Sequence, residues 1–200
     1  MMENFINYIV QDWKINQDTS FKSRLSLLMF RLAKTVANSP KPFIWLSILY
    51  RFFYQISVEW VLGIELPWDT QVGKNLKLQH GHGLVVNHQT QIGENCTLRN
   101  STTIGNKRLP DGSYSRAPQI GNNVDIGANV VIIGPITVGD NAVIGAGSVV
   151  VKDVPEGAVV VGNPARIIRR LNTNSSFIDN EGVKDLELVS VSSNLNDDKS

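Results

Sequence analysis

Branched or small apolar residues return every six positions from Ile120 through Ile126, Ile132, Val138 and Ile144 to Val150, and Gly121, Gly127, Gly139 and Gly145 each follow one of them. The same spacing holds at Val86, Ile92, Leu98 and Ile104, and again at Val72 and Leu78. This period predicts short strands joined by tight turns, three of which close one triangular coil of a parallel β-helix. The aliphatic residue fills the interior, and the glycine after it is expected to let the backbone turn each corner. Stacked coils bury what a single coil cannot, so the first and last coils need covers, which the N-terminal segment and the residues after Val161 are placed to supply.

Before Gly63 the pattern changes. That stretch holds no glycine, yet twelve of the fifteen aromatic residues lie between Phe5 and Trp60, which predicts helices. Ser20 is placed to cap a helix through Phe21, Leu25, Leu28, Arg31 and Leu32 that ends before Asn38-Ser39-Pro40, and a second helix follows Pro42. From Phe43 to Leu62 the residues are apolar enough to raise a membrane span. Against it, Arg51, Gln55 and Glu59 form a polar stripe at four-residue spacing, and the longest uncharged run, Pro42 to Tyr50, falls short of the roughly 20 residues a crossing needs. Such a helix packs on another helix or another subunit, or lies on a membrane surface. The expected division is a helical segment over 1–62, a mainly β domain over 63–171 and a polar, mobile tail over 172–200, where only Leu186 to Val191 offers a stretch that could pair.

Composition narrows the function. With 19 Lys and Arg against 18 Asp and Glu, the 200 residues carry a net charge of +1, which leaves no footprint for tracking nucleic acid. A hydrophobic content of 42% argues against general disorder. The single cysteine cannot form an internal disulfide, and the start of the chain lacks a secretory pattern, so the expected compartment is the cytoplasm, including the inner face of its membrane.

Two interruptions of the period locate the chemistry. Eight residues rather than six separate Leu78 from Val86, around Gly81-His82-Gly83, and sixteen separate Ile104 from Ile120, leaving a loop from Asn106 to Gln119. Loops extruded from a rigid solenoid commonly carry function. All three histidines, His80, His82 and His88, fall at or near the first break, and nothing in a β-helix core calls for imidazole. A metal site would need more ligands than these, and no Cys, Asp or Glu cluster completes the set. Cys96 occupies the small-residue position of Ile92-Gly-Glu-Asn-Cys and reads as a buried, inert thiol.

The segments Gly63-Ile-Glu-Leu, Leu78-Gln-His-Gly-His-Gly-Leu-Val-Val, Thr103-Ile-Gly-Asn and Ile144-Gly-Ala-Gly-Ser-Val-Val resemble the serine acetyltransferase family of hexapeptide acyltransferases. They look closest to the branch that O-acetylates capsule, colanic acid and related exopolysaccharides. The resemblance implies a left-handed β-helix, a homotrimer with the acyl-CoA site between adjacent subunits, acetyl-CoA as co-substrate, and neither a metal nor a permanently bound cofactor.

By position, His80 matches the family's catalytic histidine and Glu65 the acidic residue that orients it. Attack of a hydroxyl on a thioester needs a neutral imidazole to take its proton, and a carboxylate on the far ring nitrogen fixes the tautomer. Gly105 and Asn106 match positions near the thioester, where an amide can support the oxyanion. Ala128 and Ala146 match small residues along which the pantetheine arm lies, and Pro164 and Arg166 lie toward the nucleotide end, with Arg169 and Arg170 as further phosphate contacts. The chain departs from serine acetyltransferases at Gln79, where they have aspartate, and at Ala117, where they have a second histidine. Without that carboxylate an amino-acid acceptor loses a charge-assisted hydrogen bond worth roughly 1.5–3 kcal/mol. Gln79, His82, Asn87 and Arg116 then remain to contact the acceptor. The implied function is acetyl-CoA-dependent O-acetylation of an exopolysaccharide or capsule sugar or its precursor, with serine O-acetylation and a non-catalytic scaffold as alternatives.

Overall fold

The computed structural model describes residues 2–37 and 44–170. The tail over 172–200, the helix end at Asn38-Ser39-Pro40 and the helix start at Pro42 lie outside the described residues. The first described elements are helices α1 (Met2–Val10), α2 (Phe21–Ala37) and α3 (Ile44–Tyr54), the last running on into a π-helical turn at Gln55–Val61. Periodicity had not singled out α1. The Ser23 amide donates to Ser20 Oγ at 3.2 Å, the predicted cap of α2, and Leu27, Phe30 and Ala33 bury the inner side of that helix.

From Ile64 the chain winds as a parallel β-helix of about five turns with three faces. The first face carries β1 (Ile64–Glu65), β4 (Leu84–Val86), β7 (Thr103–Gly105), β10 (Val131–Ile133) and β13 (Val149–Val150). On the second lie β2 (Gln71–Val72), β5 (Gln91–Ile92), β8 (Gln119–Ile120) and β11 (Thr137–Val138). The third holds β3 (Lys77–Gln79), β6 (Thr97–Arg99), β9 (Asp125–Ile126), β12 (Val143–Ile144) and β14 (Ala158–Val161), closed by antiparallel β15 (Arg166–Arg170). Every apolar register position from Leu78 to Val150 is buried, and Val72 is half-buried.

Strand register measures the coils. Val131 pairs with Val149 and Val85 with Thr103, eighteen residues apart, whereas Glu65 pairs with Val85, twenty apart, and Thr103 with Val131, twenty-eight apart. The two breaks in the period are therefore two added residues in the first coil and ten in the third.

The glycines that follow the inward aliphatic residues serve a different end from the one expected. At Gly127 and Gly139 an added Cβ would lie 2.5 Å from the amide nitrogen of Ala146 and Glu156 in the coil above, so glycine is required by coil-to-coil approach. Left-handed turning falls instead to Asn75, Asn95, Asn123 and Asn141, whose φ values lie between 55° and 59°. Their side-chain amides form a ladder along the edge between the second and third faces, each donating to the next at 2.9–3.2 Å.

The exposed rim of the first coil is closed by side chains from the helical segment. Asp12 Oδ1 accepts from the Leu76 amide, while Asn16 accepts from the Leu78 amide and donates to the Leu76 carbonyl. Arg31 pairs with Asp12 at 2.7 Å and donates to the carbonyls of Val72 and Gly73. This fully buried ion pair satisfies strand groups that would otherwise template aggregation.

The rod formed by α3 and the π-helical turn is polarised outward. Ser47, Tyr54 and Val58 are buried, Arg51 stacks on Trp68 at 4.6 Å and Glu59 is half-buried, so two of the three stripe residues turn toward the solenoid while Gln55 stays exposed. Trp45 and Trp60 are 79% and 73% exposed, with Leu46, Leu49, Phe52, Phe53 and Val61 exposed beside them. No described helix is long and apolar enough to cross a membrane.

Candidate active site

The two added residues of the first coil fall at the edge where the third face turns into the first. In each coil that edge turns through one left-handed residue: Gly63, Gly83, Ser101, Asn129 and Gly147. They stack by backbone hydrogen bonds, since the Ser101, Asn129 and Gly147 amides donate to the carbonyls of His82, Asn100 and Ala128. His80 is left-handed as well, at φ 56°, but stands outside this column, in the extra turn. A β-carbon in that region costs roughly 1–2 kcal/mol, and a tight bond from the His82 amide to the His80 carbonyl closes the turn. The His80 side chain is exposed at the edge rather than sealed within the coil.

The stacking makes a column of the residues preceding each corner: His82, Asn100, Ala128 and Ala146. Ala128 and Ala146 thus share the edge with the histidines, Ala146 about 14 Å from His82 at about 4.8 Å per coil. At the far end of the edge, the Gly162 amide donates to Ser148 Oγ and the Ala165 amide to the Val149 carbonyl, which seats Pro164 and Arg166 over the last coil. A cavity of about 330 Å³ opens there beside Arg166, lined also by Lys152, Val154 and Val160. Of the sequence-predicted residues, His80, His82, Ala128, Ala146, Pro164 and Arg166 therefore follow one edge. Arg169 and Arg170 belong to β15, over β14.

Glu65 lies on β1, its side chain exposed, two residues past Gly63. The His82 ring packs over Gly63, 3.0 Å from where a Cβ would be, with Nδ1 3.4 Å from the Leu62 carbonyl. No hydrogen bond or ion pair joins Glu65 to His80 among the described residues. Glu59, on the π-helical turn before Gly63, has its carboxyl pushed up by burial, opposed by a hydrogen bond from Gln55 and reinforced by the charges of Glu65 and Asp69.

Asn87, Gly105, Asn106 and Arg116 occupy the edge between the first and second faces. The Asn87 amide donates to the Ile104 carbonyl, and its side chain accepts from the Gln89 amide. Gly105 ends β7 and Asn106 starts the ten-residue excursion, whose tip is closed by the Leu109 amide donating to Ser113 and the Gly112 amide to Leu109. Arg116, exposed, lies on the return of that loop. Within one chain these groups and the histidine edge sit at opposite ends of the first face.

His88 stands on the loop edge and pairs with Asp69 at 3.4 Å, and no three His, Cys, Asp or Glu side chains gather as a metal site among the described residues. Cys96 is buried, its thiol held by the Gly121 carbonyl at 3.1 Å and its pKa pushed up by burial.

Sequence reading passed over Arg99 and Asp125. Gln79 is directly opposite Arg99 in the parallel register of β3 and β6. Arg99 Nε donates to Gln79 Oε1 at 2.8 Å, and the same guanidinium pairs with Asp125 and reaches the Ile126 carbonyl at 3.0 Å. The available signal was the eight-residue gap, which makes the first coil twenty residues long and so aligns 79 with 99.

Comparison with known proteins fits this geometry. Residues 117–152 match the bacterial transferase hexapeptide (six repeats) model. The chain is 42% identical over 115 residues to a protein of Escherichia coli named colanic acid biosynthesis acetyltransferase WcaB, covering 57% of this chain and 68% of that one. It is 35% identical over 147 residues to the serine acetyltransferase of Helicobacter pylori, covering 72% and 80%. Among solved structures, Neisseria gonorrhoeae serine acetyltransferase superposes with a TM-score of 0.70 at 29% identity over 86% of this chain and 67% of that one. The same enzyme in complex with serine gives 0.67 at 30% identity, over 82% and 69%.

Proposed function

The chain belongs to the hexapeptide-repeat acetyltransferase family that includes serine acetyltransferases and WcaB-type proteins, and from that premise we propose that it moves the acetyl group of acetyl-CoA to a hydroxyl of an exopolysaccharide sugar or its precursor. The observation that carries the proposal is the exposed imidazole of His80, held on an added left-handed turn at the same edge as Ala128 and Ala146. His80 takes the hydroxyl proton as the C–O bond forms and the thioester C–S bond breaks, then returns it to the leaving thiolate. Glu65, which makes no hydrogen bond to His80 in the chain alone, orients the ring once the substrates are bound, the pantetheine arm lies along the small residues, and Pro164 and Arg166 meet the nucleotide. Because Asn87, Gly105, Asn106 and Arg116 occupy the other end of the first face, a complete site takes the histidine edge of one chain and the loop edge of its neighbour. This supports a trimeric assembly.

Gln79 supports a glycan over serine, since its neutral amide replaces the carboxylate that would hold an ammonium. The contrary reading, serine O-acetylation, is favoured by the serine-bound structural relative. Thiol release from acetyl-CoA, measured with L-serine and with de-O-acetylated colanic acid oligosaccharide, separates the two. The glycan is expected to give the larger kcat/KM; turnover of serine alone overturns the proposal.

A further inference from the structure

We propose that Arg99 is a positioning residue that fixes the polarity of the Gln79 amide, so that the acetyl acceptor is met at His80 by two N–H donors and is selected for oxygen lone pairs. This inference rests on the acetyl-transfer reading above and deepens it. A guanidinium has five donors and no acceptor, so it can be satisfied only by the oxygen of the Gln79 amide. The amide orientation, ordinarily ambiguous, is thereby determined. Arg99 is itself immobilised, with Asp125 on its two terminal nitrogens and the Ile126 carbonyl on one of them. Its Nε therefore points along the sheet at Gln79 Oε1, 2.8 Å away.

With its oxygen occupied, Gln79 turns its NH2 group away from Arg99. That group has no protein partner among the described residues, and the next residue along the chain is His80. Two unpaired donors one residue along the chain from the proposed general base suit the ring and hydroxyl oxygens of a sugar, or a carboxylate on it. An ammonium, which only donates, finds no acceptor there. By the same clamp, a carboxylate at 79 is expected to pair with the Arg99 guanidinium rather than with an ammonium.

The test is made on the full chain in two arms. In the first, the 15N-labelled side-chain amide of Gln79 is followed by NMR in the presence of CoA while de-O-acetylated colanic acid oligosaccharide or L-serine is added. The oligosaccharide is expected to shift the NH2 pair and serine is not. Arg99→Met should weaken the response about tenfold, the upper end for one neutral hydrogen bond, and Arg99→Lys should recover part of it. Since Arg99→Met strips Asp125 of its partner, Arg99→Met/Asp125→Leu is measured alongside and should show the same tenfold loss in a chain that melts cooperatively. An unchanged response in both Met variants overturns the positioning role, and a wild-type shift with serine alone, or with neither probe, overturns the donor role of Gln79. The second arm is kinetic: the Met variants should raise the acceptor KM about tenfold, leaving the acetyl-CoA KM and kcat within twofold. Wild-type transfer to the oligosaccharide with no change in the variants sinks this inference alone, whereas wild-type transfer to serine only sinks the parent reading.

Discussion

The first and fourth coils are two versions of one turn. The fourth closes in eighteen residues and presents Ala146 at the edge between the third and first faces; the first takes twenty and presents His80 and His82 there. Packing inside is the same, with Leu78 and Ile144 equally buried, so the added residues change only what the edge displays. The regular coil makes a smooth wall on which an extended ligand can lie, and the enlarged coil ends that wall with an imidazole. A repeat fold can thus display an exposed imidazole at the modest cost of one strained residue, provided the hydrogen-bonded column beside it is uninterrupted.

The largest expected effect comes from erasing what distinguishes the first coil. His80→Ala should lower kcat for acetyl transfer by 10²–10⁴, the usual share of a general base, with acetyl-CoA binding by calorimetry unchanged. His82→Ala, whose ring rests on Gly63, should cost less than about tenfold if His80 alone is the base and His82 only contacts the acceptor. Next in size is the cover that the fourth coil does not need. Asp12→Ala leaves Arg31 buried and unpaired and should destabilise the chain by about 3–5 kcal/mol in urea unfolding. A value below about 1 kcal/mol would mean that the helical segment does not seal the first coil. Smaller again, Ala146→Leu should raise the acetyl-CoA KM about tenfold, or roughly 1.4 kcal/mol, with little change in melting, because the residue is exposed.

How much of this could be read in advance follows the same contrast. The regular coils were legible because an aliphatic side chain must point inward at every sixth position, and both breaks were legible as departures from that count. Asparagine corners were legible too, in the Gly-x-Asn of Gly73-Lys-Asn75, Gly93-Glu-Asn95 and Gly139-Asp-Asn141, but glycine was credited with the turn when its task is to let coils touch. The cover was not legible: Asp12 and Leu76 are 64 positions apart and no period links them. The Arg99 clamp was legible only in part: the eight-residue gap aligns 79 with 99, but no period says that the two side chains meet or that Asp125 holds the guanidinium. The outward aromatic side of α3 inverts the usual rule that apolar residues face in, and the stripe of Arg51 and Glu59 betrayed only that the helix has two sides.

The smallest effect concerns Glu59, the charge that the π-helical turn brings to the first coil and that no regular coil has beside it. Burial pushes its carboxyl above the usual range, and the nearby charges of Glu65 and Asp69 push the same way. The folded chain therefore holds that proton more tightly than the unfolded chain, whose glutamates titrate near pH 4.3. The resulting stabilisation is fully present below the unfolded value and is lost as pH rises through the folded one, so at neutral pH the ionised Glu59 is a net cost. Glu59→Gln should remove that cost, raising stability at pH 7 by less than about 1 kcal/mol, since the side chain is only half-buried and solvent screens its charge. At pH 3.5, where both states carry the proton, the variant and the parent should unfold at nearly the same urea concentration. A variant equally stabilised at both pH values would trace the effect to packing at the π-helical turn, and would remove electrostatics from the list of what sets the first coil apart.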